Sequence, residues 1–514
     1  MTKGNRAARD RTHSHPRCLM VIIGLLSVLC ALDLCALDLF ARTAVAGTLE
    51  EDITAILRDP GLESAHLGIV VESLTTGRRI FSYNAGKRFV PASNMKLFTT
   101  AAALLALSPD FRWETRLLMN GTVASGVLDG DIIVEGSGDP TISGYFHQGD
   151  VLHVFRQWAT ALKEQGVREI GGDLVIDNSG FPDKPYGKGW DVDPVNCFSA
   201  PRDAFTFNNN CIQLDITPSD KTGEALRIAM EPVTDYVVLE RGLTRRRDAG
   251  PDTVNLEYTT PRTLSITGLI GPGTTTVTRY VAVNHPAYFG GFVLRETLQA
   301  SGITVKGDIL CARNCPKTVD IRTRKEKGTW RTAAVYRSVR LAEIIKVVNK
   351  LSNNLYAELL LFATGRATGV TGTEASAEVA LAALRRAGVD TSGVVMADGS
   401  GLSRHDLVTP DSVARVLRIM AEGPHARTFI DSLPVMSVDG TLGARLQGSR
   451  AAERVRAKTG TMTHVRSLSG YVTTMKGERL VFSIFSNNHV ATSTVDTAVD
   501  RIILRLLDHS PSER

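Results

Sequence analysis

The sequence lacks most of the features that would mark a specialised partner. Its 59 lysines and arginines are nearly balanced by 54 acids, and three of the five excess positive charges fall within the first 46 residues. The remainder carries only about +2, which gives no electrostatic case for a dedicated nucleic-acid binder. No apolar run reaches the roughly 18 to 20 clean residues needed to cross a bilayer, because Asp33 and Asp38 interrupt the one candidate. There is no HExxH, no GxSxG and no Walker loop, and the eleven histidines do not gather at ligand spacing. These absences remove the zincin, α/β-hydrolase and P-loop readings and leave no signature of a metal or cofactor. Strong compositional bias is missing too. At 514 residues, 43% hydrophobic and 22% charged, the chain is too long for one core and too evenly composed for disorder, so two or more domains are expected. The local basic runs Arg245-Arg246-Arg247 and Arg322 to Lys327 read as solvated loops.

The first 46 residues have the layout of a secretory signal. A basic stretch ends at Arg17, an apolar run spans Cys18 to Leu32, and Ala44-Val45-Ala46 supplies small residues before Gly47. Neither copy of the tandem CALDL at Cys30 to Leu39 has the small residue before cysteine that lipoprotein processing wants, so membrane association is expected to be peripheral at most. Export removes Cys18, Cys30 and Cys35 and leaves Cys197, Cys211, Cys311 and Cys315, an even number in an oxidising compartment. Of three connectivities, Cys197 with Cys211 and Cys311 with Cys315 closes the short loops; a four-cysteine zinc site is disfavoured because the pairs are not CxxC.

Local patterning divides the chain. A hairpin is predicted with strands over Leu67 to Ser73 and Arg79 to Tyr83, turning at Thr75-Thr76-Gly77. Pro91-Ala92-Ser93 leads into a helix over Asn94 to Leu107, which Ser108-Pro109 stops. Residues 112–333 change character, with short β-like runs and three Gly-Asp-apolar units at Gly130-Asp131-Ile132, Gly172-Asp173-Leu174 and Gly307-Asp308-Ile309 that read as strand-entry turns. The pattern is helical from Leu341 through Leu361 and from Thr373 to Ala387, strand-rich between Val455 and Phe485, and closes on an amphipathic helix over Thr494 to Leu507. In the simplest architecture, strands from both ends share one sheet. Residues 47–111 and 334–514 then form one unit, 112–333 are inserted as β-rich domain or domains, and 1–46 leave as the signal.

One constellation is equipped for covalent chemistry. Ser93 and Lys96 form the chain's single S-x-x-K, and residues i and i+3 share a helical face. A neutral lysine there takes the serine proton, which requires burial or nearby positive charge to lower its pKa. Ser352-Asn353-Asn354, in the helical segment, offers a second serine to relay a proton and an amide to hold substrate. Lys458-Thr459-Gly460, followed by Thr461, falls in a strand whose edge could pair with an extended peptide. The decoys fail on context: Lys221-Thr222-Gly223 reads as a loop, Ser82-Tyr83-Asn84 belongs to the first hairpin, and Ser486-Asn487-Asn488 ends a late strand.

The order Ser93, Ser352, Lys458 is that of penicillin-recognising serine enzymes. The chain resembles the low-molecular-mass, class C penicillin-binding proteins, the D-alanyl-D-alanine carboxypeptidase/endopeptidase family of the penicillin-binding protein 4 type. The likeness runs over nearly all of residues 60–507. Beyond the three motifs it includes Gly138-Asp139-Pro140-Thr141, Gly189-Trp190, Cys197-Phe198-Ser199-Ala200-Pro201, Asp398 to Arg404, Asp439-Gly440-Thr441-Leu442 and Leu468-Ser469-Gly470-Tyr471. The wide gap between Ser93 and Ser352 also resembles this class, whose inserted domains lie there, and not the compact β-lactamases. Met436-Ser437 departs from the family, which has a small residue and glycine before the Asp-Gly-Thr-Leu turn, so altered loop geometry is expected there.

The resemblance implies an α+β fold: a β-lactamase/transpeptidase-like serine domain, an antiparallel sheet flanked by helices, with a large β-rich insertion. It implies Ser93 as the acylated nucleophile, Lys96 as its base, Ser352 as the relay to the leaving amine and Asn354 as partner of the substrate amide. Lys458 and Thr459 would hold the terminal carboxylate, with the backbone N–H groups of Ser93 and Thr461 as oxyanion hole. Asp193, Phe198 and Arg404 would shape a pocket for a diaminopimelate side chain. The expected protein is a periplasmic, penicillin-sensitive serine D-Ala-D-Ala carboxypeptidase, with endopeptidase action on cross-links as a second expectation. Peptidoglycan peptides are its expected substrates and β-lactams its covalent inhibitors, without cofactor, metal or nucleic acid. A β-lactamase or esterase of the same fold and a non-catalytic wall scaffold are the alternatives.

Overall fold

The computed structural model describes residues 48–181, 184–218, 226–245, 250–271 and 274–510. The signal expected over residues 1–46, the Lys221-Thr222-Gly223 decoy and Arg246-Arg247 lie outside the described residues. No helix among the described residues is long and apolar enough to cross a membrane.

Strands from both ends of the chain meet in one antiparallel sheet. Its members are β1 (His66–Ser73), β2 (Arg79–Tyr83), β3 (Val455–Met462), β4 (Val465–Thr473) and β5 (Arg479–Asn487), in the spatial order β3-β4-β5-β1-β2. The same unit holds helices α1 (Leu49–Leu57), α2 (Met95–Leu107), α3 (Leu341–Lys350), α4 (Asn354–Arg366), α5 (Thr373–Arg386), α6 (Pro410–Glu422), α7 (Ala426–Ser432) and α8 (Thr492–Asp508). Successive strand residues point to opposite faces, and both faces are apolar here. Ile69, Val71 and Phe482 pack with Ile53 of α1 and Ile503 of α8, while Val70 and Phe485 pack with Phe98, Leu360 and Leu417 on the other side.

The outer edge of β3 is covered only in part. Pro434 and Met436 pair with it from Val455 to Ala457, and no further backbone pairing occurs on this edge among the described residues. From Lys458 onward the edge is open.

The helix expected without interruption from Leu341 to Leu361 is broken. α3 ends at Lys350, Ser352 turns left-handed with φ of 57°, and Asn353 starts α4 by accepting the Tyr356 N–H at 2.9 Å. Hydrophobic periodicity runs through the break because both helices bury one face, so spacing alone does not reveal it.

The intervening segment builds a second core, from Leu117 to Tyr336. One of its sheets runs in the order Ile309–Cys311, Leu174–Asp177, Ile132–Glu135, Glu114–Met119 and Arg331–Arg337. The Gly-Asp units stack at its strand entries: Asp131 Oδ1 accepts the Asp173 N–H at 2.7 Å, and Asp173 Oδ1 accepts the Asp308 N–H at 2.9 Å. Arg322 to Lys327 is not the expected solvated loop. It falls on a short helix, Ile321–Glu326, whose Arg324 bridges Asp131 and Asp173 while Lys325 bridges Glu135 and Asp177. Four strand-end carboxylates, gathered by the sheet, give those cations a reason to fold. Disulfides join Cys197 to Cys211 and Cys311 to Cys315.

Candidate active site

Ser93 stands on a single 3₁₀ turn, Ala92–Asn94, that runs into α2. The turn is held from several sides. Ala92 has φ of 48°, a conformation costing an L-residue roughly 1 to 2 kcal/mol. Ser467 Oγ donates to the Pro91 carbonyl and Asn487 Oδ1 accepts the Val90 N–H, both at 2.8 Å. Gly401, itself at φ of 82°, packs against the Ala92 carbonyl so closely that no Cβ fits.

One turn on, Lys96 is wholly buried. Its Nζ lies 2.9 Å from Ser93 Oγ, 2.6 Å from Asn354 Oδ1 and 2.5 Å from the Ser400 carbonyl. Burial pushes its pKa down to about 7, against the pull of the Asp398, Glu358 and Asp406 carboxyl groups. The uncharged form, able to accept a proton, is therefore within reach near neutral pH.

Those carboxyl groups were not among the candidates. Glu358 accepts the N–H groups of Gly399 and Ser400 at 2.9 and 2.8 Å and pairs at 3.0 Å with Arg202, both side chains buried. Asp398 accepts Trp190 Nε1–H at 2.7 Å and the N–H groups of Ser400, Gly401 and Ser403. Burial first, and the Asp398 charge second, hold Asp406 well above the ordinary carboxylate range. Arg202 and Trp190 of the intervening segment thus brace the loop whose Ser400 carbonyl contacts Lys96. The signal was Glu358 itself, a lone acid inside the apolar run from Leu355 to Phe362.

Ser352 is presented by the break between α3 and α4. Lys458, fully buried on β3, donates from Nζ to Ser352 Oγ and to the Thr459 carbonyl, each at 2.9 Å. Burial, reinforced by the nearby Lys96, depresses the Lys458 pKa well below its usual value. Asn94 Nδ2 donates to the Lys458 carbonyl at 3.0 Å and so ties the strand to the nucleophile turn. At Gly460 a Cβ would collide with Ser467 Oγ and the Pro91 carbonyl.

Two clefts meet here. One, of about 620 Å³, is lined by Ser93, Ser352, Thr459 and Thr461 and continues to Arg466 and Arg445. The other, of about 680 Å³, shares Ser352 and passes Asn354 and Phe198 onto the intervening segment. Asn354 Nδ2 donates to the Phe198 carbonyl at 2.8 Å. Asp193 and Arg404 line neither cleft. Asp193 is exposed, with Oδ1 accepting the Val195 N–H at 3.2 Å, and Arg404 is exposed and donates to the Thr463 carbonyl at 3.2 Å. At the departure from the family pattern, Ser437 adopts φ of 62°, the left-handed region that favours glycine, and its Oγ donates to the Arg445 and Leu446 carbonyls at 2.9 and 3.0 Å.

The sequence profile of the D-Ala-D-Ala carboxypeptidase 3 (S13) family matches residues 49–506. The D-alanyl-D-alanine carboxypeptidase of an Actinomadura species is 34% identical over 479 residues, covering 90% of this chain and 85% of that protein. The D-alanyl-D-alanine carboxypeptidase DacB of Haemophilus influenzae is 28% identical over 443 residues, covering 83% and 86%. The crystal structure of penicillin binding protein 4 from the same organism superposes with a TM-score of 0.73 at 25% identity, covering 88% of this chain and 98% of that one. With a profile that spans almost every described residue and a relative above 30% identity along nine-tenths of its length, the chain belongs to the D-Ala-D-Ala carboxypeptidase 3 (S13) family.

Proposed function

We propose that this protein is an exported serine D-alanyl-D-alanine carboxypeptidase, with endopeptidase action on D-alanyl cross-links, working through an acyl-enzyme on peptidoglycan stem peptides in the periplasm. The observation that carries the reading is the contact of Ser93 Oγ with a buried lysine whose pKa lies near 7. Ser93 Oγ attacks the carbonyl of the penultimate D-alanine and gives its proton to Lys96 Nζ. The backbone N–H groups of Ser93 and Thr461 receive the oxyanion, an interaction worth roughly 3 to 4 kcal/mol per donor in comparable enzymes. The C–N bond then breaks, Ser352 relays a proton to the departing amine, and water hydrolyses the ester.

Lys458 acts from below the cleft, through Ser352 and Thr459, to favour a terminal carboxylate at Thr459 and Thr461. Asn354, whose amide spans Lys96 and the Phe198 carbonyl in the free enzyme, turns to the substrate amide. In this reading Phe198 from the cleft wall, and Asp193 and Arg404 from outside it, shape the pocket for a diaminopimelate side chain. Incubation with fluorescent penicillin tests the whole reading: durable labelling is expected. Rapid release of the label would make the protein a β-lactamase, and no labelling at all would end the proposal.

A further inference from the structure

The cleft that runs from Ser352 onto the intervening segment has a chemistry that bond cleavage does not use. Tyr145, Phe198 and Tyr280 line it with 58%, 44% and 61% of their surfaces exposed. Large aromatic side chains left uncovered around one cleft mark a binding surface, whereas single exposed apolar residues do not. Among the described residues that line it, Glu231 is the one acid or base. The other polar lining is mostly amide: Asn196 Oδ1 accepts the Phe198 N–H, Asn209 Oδ1 accepts from Asn353 Nδ2, and Gln213 Nε2 donates to Asp215. Asn196 Nδ2, Asn209 Nδ2 and Gln213 Oε1 keep no protein partner among the described residues.

The walls are built to stay in place. The Cys197–Cys211 disulfide fastens the Phe198 turn to the strand Cys211–Thr217. Asn208, Asn209 and Asn210 hold φ of 46°, 58° and 55°, a run that asparagine tolerates better than other side-chain-bearing residues. Asn208 Nδ2 donates to the Cys211 carbonyl at 3.1 Å and Asn210 Nδ2 to the Pro201 carbonyl at 2.8 Å.

Uncovered rings, spare amide donors and acceptors and almost no charge suit an uncharged ligand with apolar faces and many hydroxyl and acetamido groups. An N-acetylated amino sugar has this chemistry. The inference rests on the peptidase reading, under which the substrate's carboxylate lies toward Thr459 and Thr461, so its acyl portion leaves past Asn354 into this cleft. The sugar that carries a stem peptide then follows about four residues from the scissile bond, roughly 13 to 14 Å of extended chain. We propose that this cleft beyond Phe198, at Tyr145 and Tyr280, is a glycan subsite, in which the two rings stack on sugar faces and the free amides meet acetamido and hydroxyl groups.

Two readouts on the full exported chain test it. Saturation-transfer NMR with N,N′-diacetylchitobiose is expected to show contact that Tyr145→Ala and Tyr280→Ala each weaken, with cellobiose, which lacks acetamido groups, giving less. Both rings are more than half exposed, so alanine leaves the core intact. No transfer from the acetylated sugar, transfer indifferent to the two substitutions, or equal transfer from cellobiose overturns the proposal. In the second readout, kcat/KM on a disaccharide-bearing stem peptide is expected to exceed that on the sugar-free pentapeptide by roughly 3- to 10-fold, and the ratio to fall toward one in the variants. A wild-type ratio of one, or parallel loss on both peptides, also overturns it. Sugar binding that depends on Tyr280 in a protein that hydrolyses neither peptide would sink the peptidase reading and leave the sugar site standing.

Discussion

The two clefts that meet at Ser352 are built in opposite ways. The one at the edge of β3 rests on regular structure and is walled by charge: Arg445 pairs with Asp500 at 2.6 Å and Arg466 with Asp496 at 3.5 Å, over a strand held on the other side by β4. The one reaching onto the intervening segment joins loops, left-handed asparagines and a disulfide to the strands Cys211–Thr217, Arg227–Glu231 and Val277–Ala282, and its lining among the described residues is nearly free of charge. Regular strands place a buried lysine such as Lys458 reproducibly, because each backbone position is fixed by its ladder. In the other cleft, loops bring Asn196, Phe198 and Asn209 against Gln213 and Tyr280 of the strands, so that amides and rings meet at varied angles, which suits a ligand without charge. The proposed substrate, with an ionised terminus at one end and an uncharged sugar at the other, matches that division, and the backbone strain at Ala92 and Ser352 sits where the two halves join.

The junction is where the largest loss is expected, since both clefts deliver substrate to it. Ser93→Ala should abolish penicillin labelling, a fall of about 10⁴-fold or more in acylation, with unchanged circular dichroism; labelling that survives would place the nucleophile elsewhere. The next effect belongs to the base. Lys96 must be neutral to take the proton and loses its charge as pH rises through about 7, so kcat/KM should climb with pH along a limb of apparent pKa near 7 and lie about a hundred-fold below plateau at pH 5. A rising limb near pH 10 would mean that burial does not lower this lysine.

The comparison sharpens when one side is changed alone. Lys458→Met, of similar volume, should lower kcat/KM by about ten-fold to a hundred-fold on peptides with a terminal carboxylate and much less on neutral ester analogues. Equal losses on both would remove the charged cleft's claim to the carboxylate. Asp193, which lines neither cleft, is exposed, so its attraction for a side-chain ammonium is screened by solvent. Asp193→Asn should weaken hydrolysis of peptides with a free side-chain amine by about 3- to 10-fold and leave acylation by benzylpenicillin unchanged. A parallel fall in both would mean that Asp193 supports the fold instead.

What could be read from the sequence was local. Ser93 and Lys96 are three residues apart, the hairpin of β1 and β2 shows its alternation, and Lys458 to Thr461 lies in a clear strand pattern. The features that escaped depend on distant partners. Ser352 turns left-handed inside what reads as one helical run because Lys458, 106 residues away, meets its hydroxyl. Arg202 finds Glu358 across 156 residues and Trp190 finds Asp398 across 208, and no periodicity joins such pairs. Arg324 and Lys325 read as solvated for the same reason, since their carboxylates come together only when the strands do.

The smallest expected effect tests the wall of the charged cleft at Ser437, where the family pattern has glycine. Its φ of 62° costs a residue with a Cβ roughly 1 to 2 kcal/mol, offset in part by the hydroxyl's contact with the Arg445 and Leu446 carbonyls, worth about 1 kcal/mol net. Ser437→Ala removes the contact and keeps the strain, so it should destabilise by about 1 kcal/mol. Ser437→Gly removes both but gives the unfolded chain more freedom, worth roughly 0.5 to 1 kcal/mol, which leaves it close to the parent. Urea unfolding of the two variants is therefore expected to rank glycine above alanine by about 1 kcal/mol. The reverse order would show that the turn relaxes out of the left-handed region once the hydroxyl is gone, and that serine was chosen there for its hydrogen bonds alone.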